Sequence, residues 1–404
     1  MSDNDDVMLD VDTDDAQAGN TAPPQPAPHA MPQPQADPEQ LVRNLNALLE
    51  ATIQFKASDL HLQADSPPNV RIDGILHPLN LPVLTPEIVD DLVRQALRPD
   101  DLRKLEERRA LDTSIRRPGL GLFRLALFYE KGRKAAAFRA IPEEPPTLEE
   151  LNLPPVLAEI AELHRGLVLV TGTTGSGKTT TLAAMIRRLN ERHPYRIITV
   201  EDPIEYVHSS RRSLIAQREV GHDAGGFLTS LREAVRQDPD VILIGELRDP
   251  ETLATALQAA DTGHLVFSSV HTTTASQTVQ RLVALFPIAE REMLLTQLAS
   301  NLEAVISQRL ARRAHAKGRL PVVEILRTSP LVKKLILENK ITSLAQVIAN
   351  RERGMQSFDQ HLADLFKAGE IDAHQAEELA THPEVVQLAR RGVKGGDLAG
   401  GLVS

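Results

Sequence analysis

The stretch Gly172-Thr173-Thr174-Gly175-Ser176-Gly177-Lys178-Thr179 constrains this chain more than any other, because it fits the phosphate-binding pattern G-x-x-x-x-G-K-[ST] at every fixed position. Its glycines let backbone N–H groups turn inward and approach phosphate oxygens. Lys178 can reach the β- and γ-phosphates of a nucleotide, and the Thr179 hydroxyl suits Mg²⁺. The context also fits. Leu167 to Val170 reads as a buried strand ahead of the loop. A helix starting at Thr180 follows it, and its N-terminal dipole favours an anion. ATP with Mg²⁺ is the expected ligand.

Three more strands follow, separated by helical segments over 226–236 and 250–260. Arg196 to Val200 ends at Glu201-Asp202-Pro203, Val241 to Ile244 at Gly245-Glu246, and Leu265 to Val270 at His271-Thr272. Alternating strands and helices imply a parallel sheet with right-handed crossovers, and such sheets bind ligands beyond the carboxyl ends of their strands. Four strand ends therefore converge. Glu246 is assigned to Mg²⁺ and water positioning, Glu201 to polarising the attacking water, and His271 to sensing the γ-phosphate. His264 lies at the other end of the same strand. Six strand residues span about 20 Å, so His264 is read as structural.

Composition bounds the rest. The net charge is −10, yet nine acidic residues and no Lys or Arg fall within 1–40, which leaves the body close to neutral. With only 3% aromatics and no Trp, a nucleic-acid channel is disfavoured. There is no cysteine, so disulfides and cysteine-ligated zinc are excluded. No run of 18 apolar residues exists, and the acidic start lacks the parts of a signal peptide, so a cytoplasmic chain is expected.

Residues 1–38 read as a disordered acidic and Pro-rich tail. Residues 39–141 read as a small α+β domain, with a helix carrying Leu41, Leu45, Leu48 and Leu49, an Asp73-Gly74 hairpin turn and a helix capped by Thr85. A Pro-rich linker over 142–155 is the expected hinge. Residues 156–390 form the nucleotide domain with C-terminal helices, including one over 288–313, and 391–404 is a Gly-rich tail.

Several boxes together resemble the PilT/PilU family of type IV pilus retraction motors within the secretion-ATPase superfamily. They are the phosphate loop, Val200-Glu201-Asp202-Pro203-Ile204-Glu205-Tyr206, the stretch Asp238 to Asp249, and Thr262-Gly263-His264 through Val270-His271-Thr272. Ser58 to Leu62, Arg71 to Gly74 and Gly354 to Gln360 match further family segments, so the resemblance covers about 40–370. It implies an α/β fold: a RecA-like P-loop NTPase domain preceded by a PAS-like domain and followed by C-terminal helices. It also implies a homohexamer working on an inner-membrane platform protein, peripheral to the membrane, with a paralogous retraction ATPase as a possible companion. Arg248 joins the catalytic set. Arg124 and Arg139 match arginines that reach the nucleotide from the N-terminal domain. The family usually has Arg where this chain has Leu122, Pro where it has Thr173, and often Ser where it has Thr179. Alternatives are an accessory PilU-like subunit, a pilus or type II secretion assembly ATPase, which typically carries a tetracysteine zinc module, and a ring DNA translocase.

Overall fold

The computed structural model describes residues 37–72, 74–142, 144–316 and 318–390. The two predicted tails lie almost wholly outside the described residues, as does Asp73 of the expected hairpin turn.

Two sheets organise the chain. The first contains β1 (Asp59–Leu62), β2 (Asn69–Ile72), β3 (Ile75–Pro78), β4 (Ala110–Arg117), β5 (Gly121–Glu130) and β6 (Arg133–Ile141), in the order β3-β2-β1-β6-β5-β4. All of its pairings are antiparallel. Leu60, Phe123, Leu125 and Phe138 are fully buried and share one core with Leu45 and Leu49 of helix Leu45–Gln54 and Val89 and Leu92 of helix Pro86–Ala96. Asn44 and Thr85 cap those helices through their side chains, which supplies two of the acceptors that helix starts need.

The second sheet contains β7 (Gly166–Thr171), β8 (Arg196–Glu201), β9 (Leu214–Glu219), β10 (Val241–Ile244), β11 (Leu265–Val270), β12 (Leu302–Arg312) and β13 (Arg319–Arg327). Its order is β13-β12-β7-β11-β10-β8-β9. Every pairing is parallel except β12 with β13. β7, β10 and β11 are buried along their whole length, and helices cover both faces.

The expectation of a helix over 288–313 needs correcting. The helix ends at Asn301, and residues 302–312 continue directly as β12, parallel to β7. The stretch Ala304 to Ile306 of β12 is apolar and buried on both faces because it lies inside the sheet, so it lacks the alternation that marks a half-buried strand. β4 and β9, two edge strands, also went without an expectation from the sequence.

The cores of the two sheets do not merge. One cluster is confined to residues 42–138, and those of the second sheet begin at Leu148. The linker is more firmly held than its prolines suggest. Leu148 and Leu153 are buried in the second core, Arg211 forms a 2.6 Å ion pair with Glu144, and Arg187 donates to the Pro145 carbonyl at 2.6 Å. Most of the expected 142–155 hinge is thus anchored to the second module.

Candidate nucleotide site

β7 delivers the chain to the phosphate loop, and helix Lys178–Arg192 carries it away. Gly172, Gly175 and Gly177 all have positive φ, at 147°, 79° and 91°. At two of them space is as decisive as conformation. A Cβ on Gly172 would sit 2.5 Å from the Gln308 carbonyl oxygen, and one on Gly177 would sit 2.7 Å from Gln308 Nε2. Gln308 belongs to β12 and also accepts a hydrogen bond from Thr181 Oγ1 at 2.8 Å. It braces the loop from below. Thr173, Thr174 and Gly175 form the exposed tip.

Two features of the loop fit an anion. The Ser176 hydroxyl is buried and has no hydrogen-bond partner. Lys178 is 8% exposed, and its ammonium donates only to loop carbonyls, to Gly172 O at 3.0 Å and Thr173 O at 3.1 Å. Burial lowers its pKa, against the opposing pull of Glu246 and Glu205. Among the described residues no carboxylate forms an ion pair with it. A buried cation held by carbonyls alone lacks the full compensation that an anion would give.

The other predicted residues gather beside this loop. β8 and β10 run side by side, with Val200 opposite Ile244, and the Gly245 N–H donates to Val200 O at 2.8 Å. A Cβ on Gly245 would lie 3.5 Å from Glu201 Cα, so Glu201 and Glu246 leave the sheet at adjacent points. Glu201 is almost fully buried, and its Oε1 accepts from Thr199 Oγ1 at 2.6 Å and Gln217 Nε2 at 3.1 Å. Burial outweighs both donors and raises its pKa to about 6. Glu246 is bound by Arg248, with Nε at 2.8 Å and Nη2 at 2.7 Å, and His271 Nε2 lies 3.4 Å from its other oxygen. Thr180 Oγ1 lies 3.1 Å from the Tyr206 hydroxyl. Thr179 is half-buried at the start of the helix, as the metal role would require.

Arg124 and Arg139 stand elsewhere. They face each other across β5 and β6, on the sheet surface opposite the core. Arg139 pairs with Asp59 at 2.9 Å, and Arg124 has no ion-pair partner among the described residues. Neither has a hydrogen bond to the phosphate loop. His264 sits at the far end of β11, where its Nδ1 lies 2.8 Å from the Ala259 carbonyl oxygen and its ring lines a small polar hollow with His164, Tyr195 and Asp240. That position agrees with a structural role.

Three contributors escaped the sequence. Glu205, inside a box already quoted, lies close enough to act electrostatically on both Lys178 and Glu201. Gln217 and Gln308 gave no signal, since each acts from a strand the sequence did not reveal.

The family described as Type II/IV secretion system protein matches residues 146–375. The chain is 43% identical over 341 residues to a twitching motility protein of Neisseria gonorrhoeae, covering 84% of this chain and 91% of the relative. It is 42% identical over 342 residues to the type IV pilus retraction ATPase PilT of Pseudomonas aeruginosa, covering 84% and 99%. A crystal structure of the pilus retraction motor PilT with bound ADP superposes with a TM-score of 0.79 at 42% identity, covering 84% of this chain and 97% of that one. The chain thus belongs to the type II/IV secretion system protein family and, within it, to the PilT-like pilus retraction ATPases.

Proposed function

We propose that this chain is an ATP-hydrolysing motor that retracts type IV pili. The observation that carries this reading is the buried, anion-seeking Lys178 at one sheet edge with Glu201, Glu246, Glu205 and His271, in a chain similar over 84% of its length to retraction ATPases. The residues fit the nucleotide. Ser176 offers an unpartnered hydroxyl, and Thr179 and Glu246 supply the oxygen donors a hard cation requires. Mg²⁺ held there would neutralise charge between the β- and γ-phosphates.

The chain's own groups then divide the work. Lys178 compensates charge on the transferred phosphoryl group. Glu201 polarises the attacking water, with Thr199 and Gln217 fixing the oxygen they share. Glu246 orients metal and water, and Arg248 and His271 hold its two oxygens. Arg124 and Arg139, on an outward face, suit the nucleotide of the same or a neighbouring subunit in a hexameric ring. The change in angle between the two modules would drive a platform protein in the inner membrane. No helix among the described residues is long and apolar enough to cross a membrane. Leu122, where the family usually has Arg, favours one second reading, an accessory subunit working beside a paralogous motor.

Because burial holds Glu201 at about 6, kcat/KM should drop about tenfold per pH unit below that value and level off above it. Gln217 favours the ionised form, so Gln217→Leu should move this acid limb to higher pH; an unmoved limb removes Glu201 from the titration. The functional test is a deletion strain. It should keep surface pili and lose twitching, and the purified chain should turn over Mg-ATP as a ring-sized oligomer. Loss of the pili themselves would point to assembly instead, and twitching that survives through a companion motor would favour the accessory reading.

A further inference from the structure

Between the two sheets lies a polar joint that the chemistry above does not use. β4 brings Ser114 and Thr113 to the end of β9, where Ser114 Oγ donates to both carboxylate oxygens of Glu219 at 3.1 Å. Thr113 Oγ1 lies 2.6 Å from Nε2 of His222, and Arg98, ahead of helix Pro99–Arg108, lies 2.7 Å from its Nδ1. His222 in turn stands 3.7 Å from Glu219. Among the described residues no apolar cluster spans the two modules, so this joint can open without exposing a core.

Glu219 is buried, and it looks both ways. In the pairing of β8 with β9 it stands directly opposite Glu201. Its Oε2 accepts the Ile204 N–H at 3.2 Å. The backbone of the next residue, Glu205, lies close enough to the Glu201 carboxylate to favour its ionised form. Two neighbouring glutamates thus face consecutive residues of one loop, and Glu219 holds it through the Ile204 amide. One of them belongs to the hydrolytic site, and the other is anchored in the N-terminal module through Ser114. The loop they face carries Glu205, whose charge is felt by Lys178.

We propose that Glu219 is a positioning residue that couples the angle between the two modules to the 202–206 loop, so that the loop is seated for hydrolysis only while Ser114 engages Glu219. This inference rests on the ATPase reading. Withdrawal of β4 removes one donor from Glu219, frees its carboxylate to shift, and loosens Ile204 and with it Glu205. The coupling is carried by one carboxylate shared between two modules, a physical link that both sides can bias.

The chain has no cysteine, so Lys131→Cys with Asp261→Cys gives a clean label pair, one site on each module. In this background Mg-ATP should change the inter-label distance. Glu219→Gln should leave affinity for a fluorescent ATP analogue within about twofold, lower kcat about tenfold with little change in KM, and abolish the nucleotide-dependent distance change. Ser114→Ala, which touches neither the loop nor the nucleotide, should reproduce the loss of distance response and part of the kcat loss. A merely structural role would lower thermal stability and nucleotide affinity together and spare the distance response. The proposal is overturned if Glu219→Gln keeps parental kcat and parental distance change. It is equally overturned if Ser114→Ala keeps both while Glu219→Gln loses kcat, since Glu219 would then serve the loop alone. A parental chain that binds nucleotide without turning it over would sink the ATPase reading instead, and the distance response to bound nucleotide would still be readable.

Discussion

Lys178→Ala should lower ATP turnover by about 10²–10³-fold or more, the usual cost of removing a preorganised charge from a transition state. The environment of the lysine argues for that size. Its ammonium is buried and bonded to two loop carbonyls, and no carboxylate among the described residues neutralises it. A surface lysine would be replaced by solvent when lost, but here the substitution leaves a phosphate in a low-dielectric loop without its cation. Folding should not suffer, because a buried cation without an ion pair is a weak source of stability. Nucleotide affinity by titration, turnover by phosphate release and thermal unfolding should be measured on the same preparation. Retained turnover would refute the assignment of the loop.

Glu201→Gln should have the opposite signature in stability. Turnover should fall by about 10²–10⁴-fold if the carboxylate polarises water. Yet the fold should become more stable near neutral pH. The carboxyl has a pKa of about 6 in the fold against an ordinary value of 4.5, so the folded chain holds its proton more tightly than the unfolded chain does. Its contribution is fully present below the unfolded value and is lost as pH rises through about 6. Above that, keeping the carboxylate ionised costs about 2 kcal/mol. Glutamine removes this cost and can still accept from Thr199, so unfolding should shift up by a few degrees at pH 8 and not at pH 4. A variant that is inactive and no more stable at pH 8 would mean that Glu201 is not held as a strained, buried anion.

The sequence made the phosphate loop and the four strand ends legible for a physical reason. Each couples a continuous apolar run to a charged or Gly-rich terminus, and a central parallel strand needs such a run because helices cover both its faces. The same rule hid β12. Its buried stretch from Ala304 to Ile306 follows a helix without an intervening turn, so nothing punctuates the change from one period to the other. With β12 hidden, Gln308 could not be placed beneath the loop. The polar joint around Glu219 and His222 was hidden for another reason. It depends on β4 meeting the end of β9 across roughly 105 residues, and single polar side chains carry no sign of a distant partner. The linker misled in the opposite sense. Its prolines suggested a long hinge, but Leu148 and Leu153 anchor most of it to the second core.

The placement of β12 also has a consequence for how the protein is made. The strand that buttresses the phosphate loop lies more than a hundred positions downstream of it, between β7 and β13. While the ribosome is still translating, a nascent chain that has emerged only as far as His271 displays the whole signature motif yet has an open flank where Gln308 belongs. Competence to grip nucleotide therefore arrives late in synthesis, after the hairpin of β12 and β13 has closed that flank.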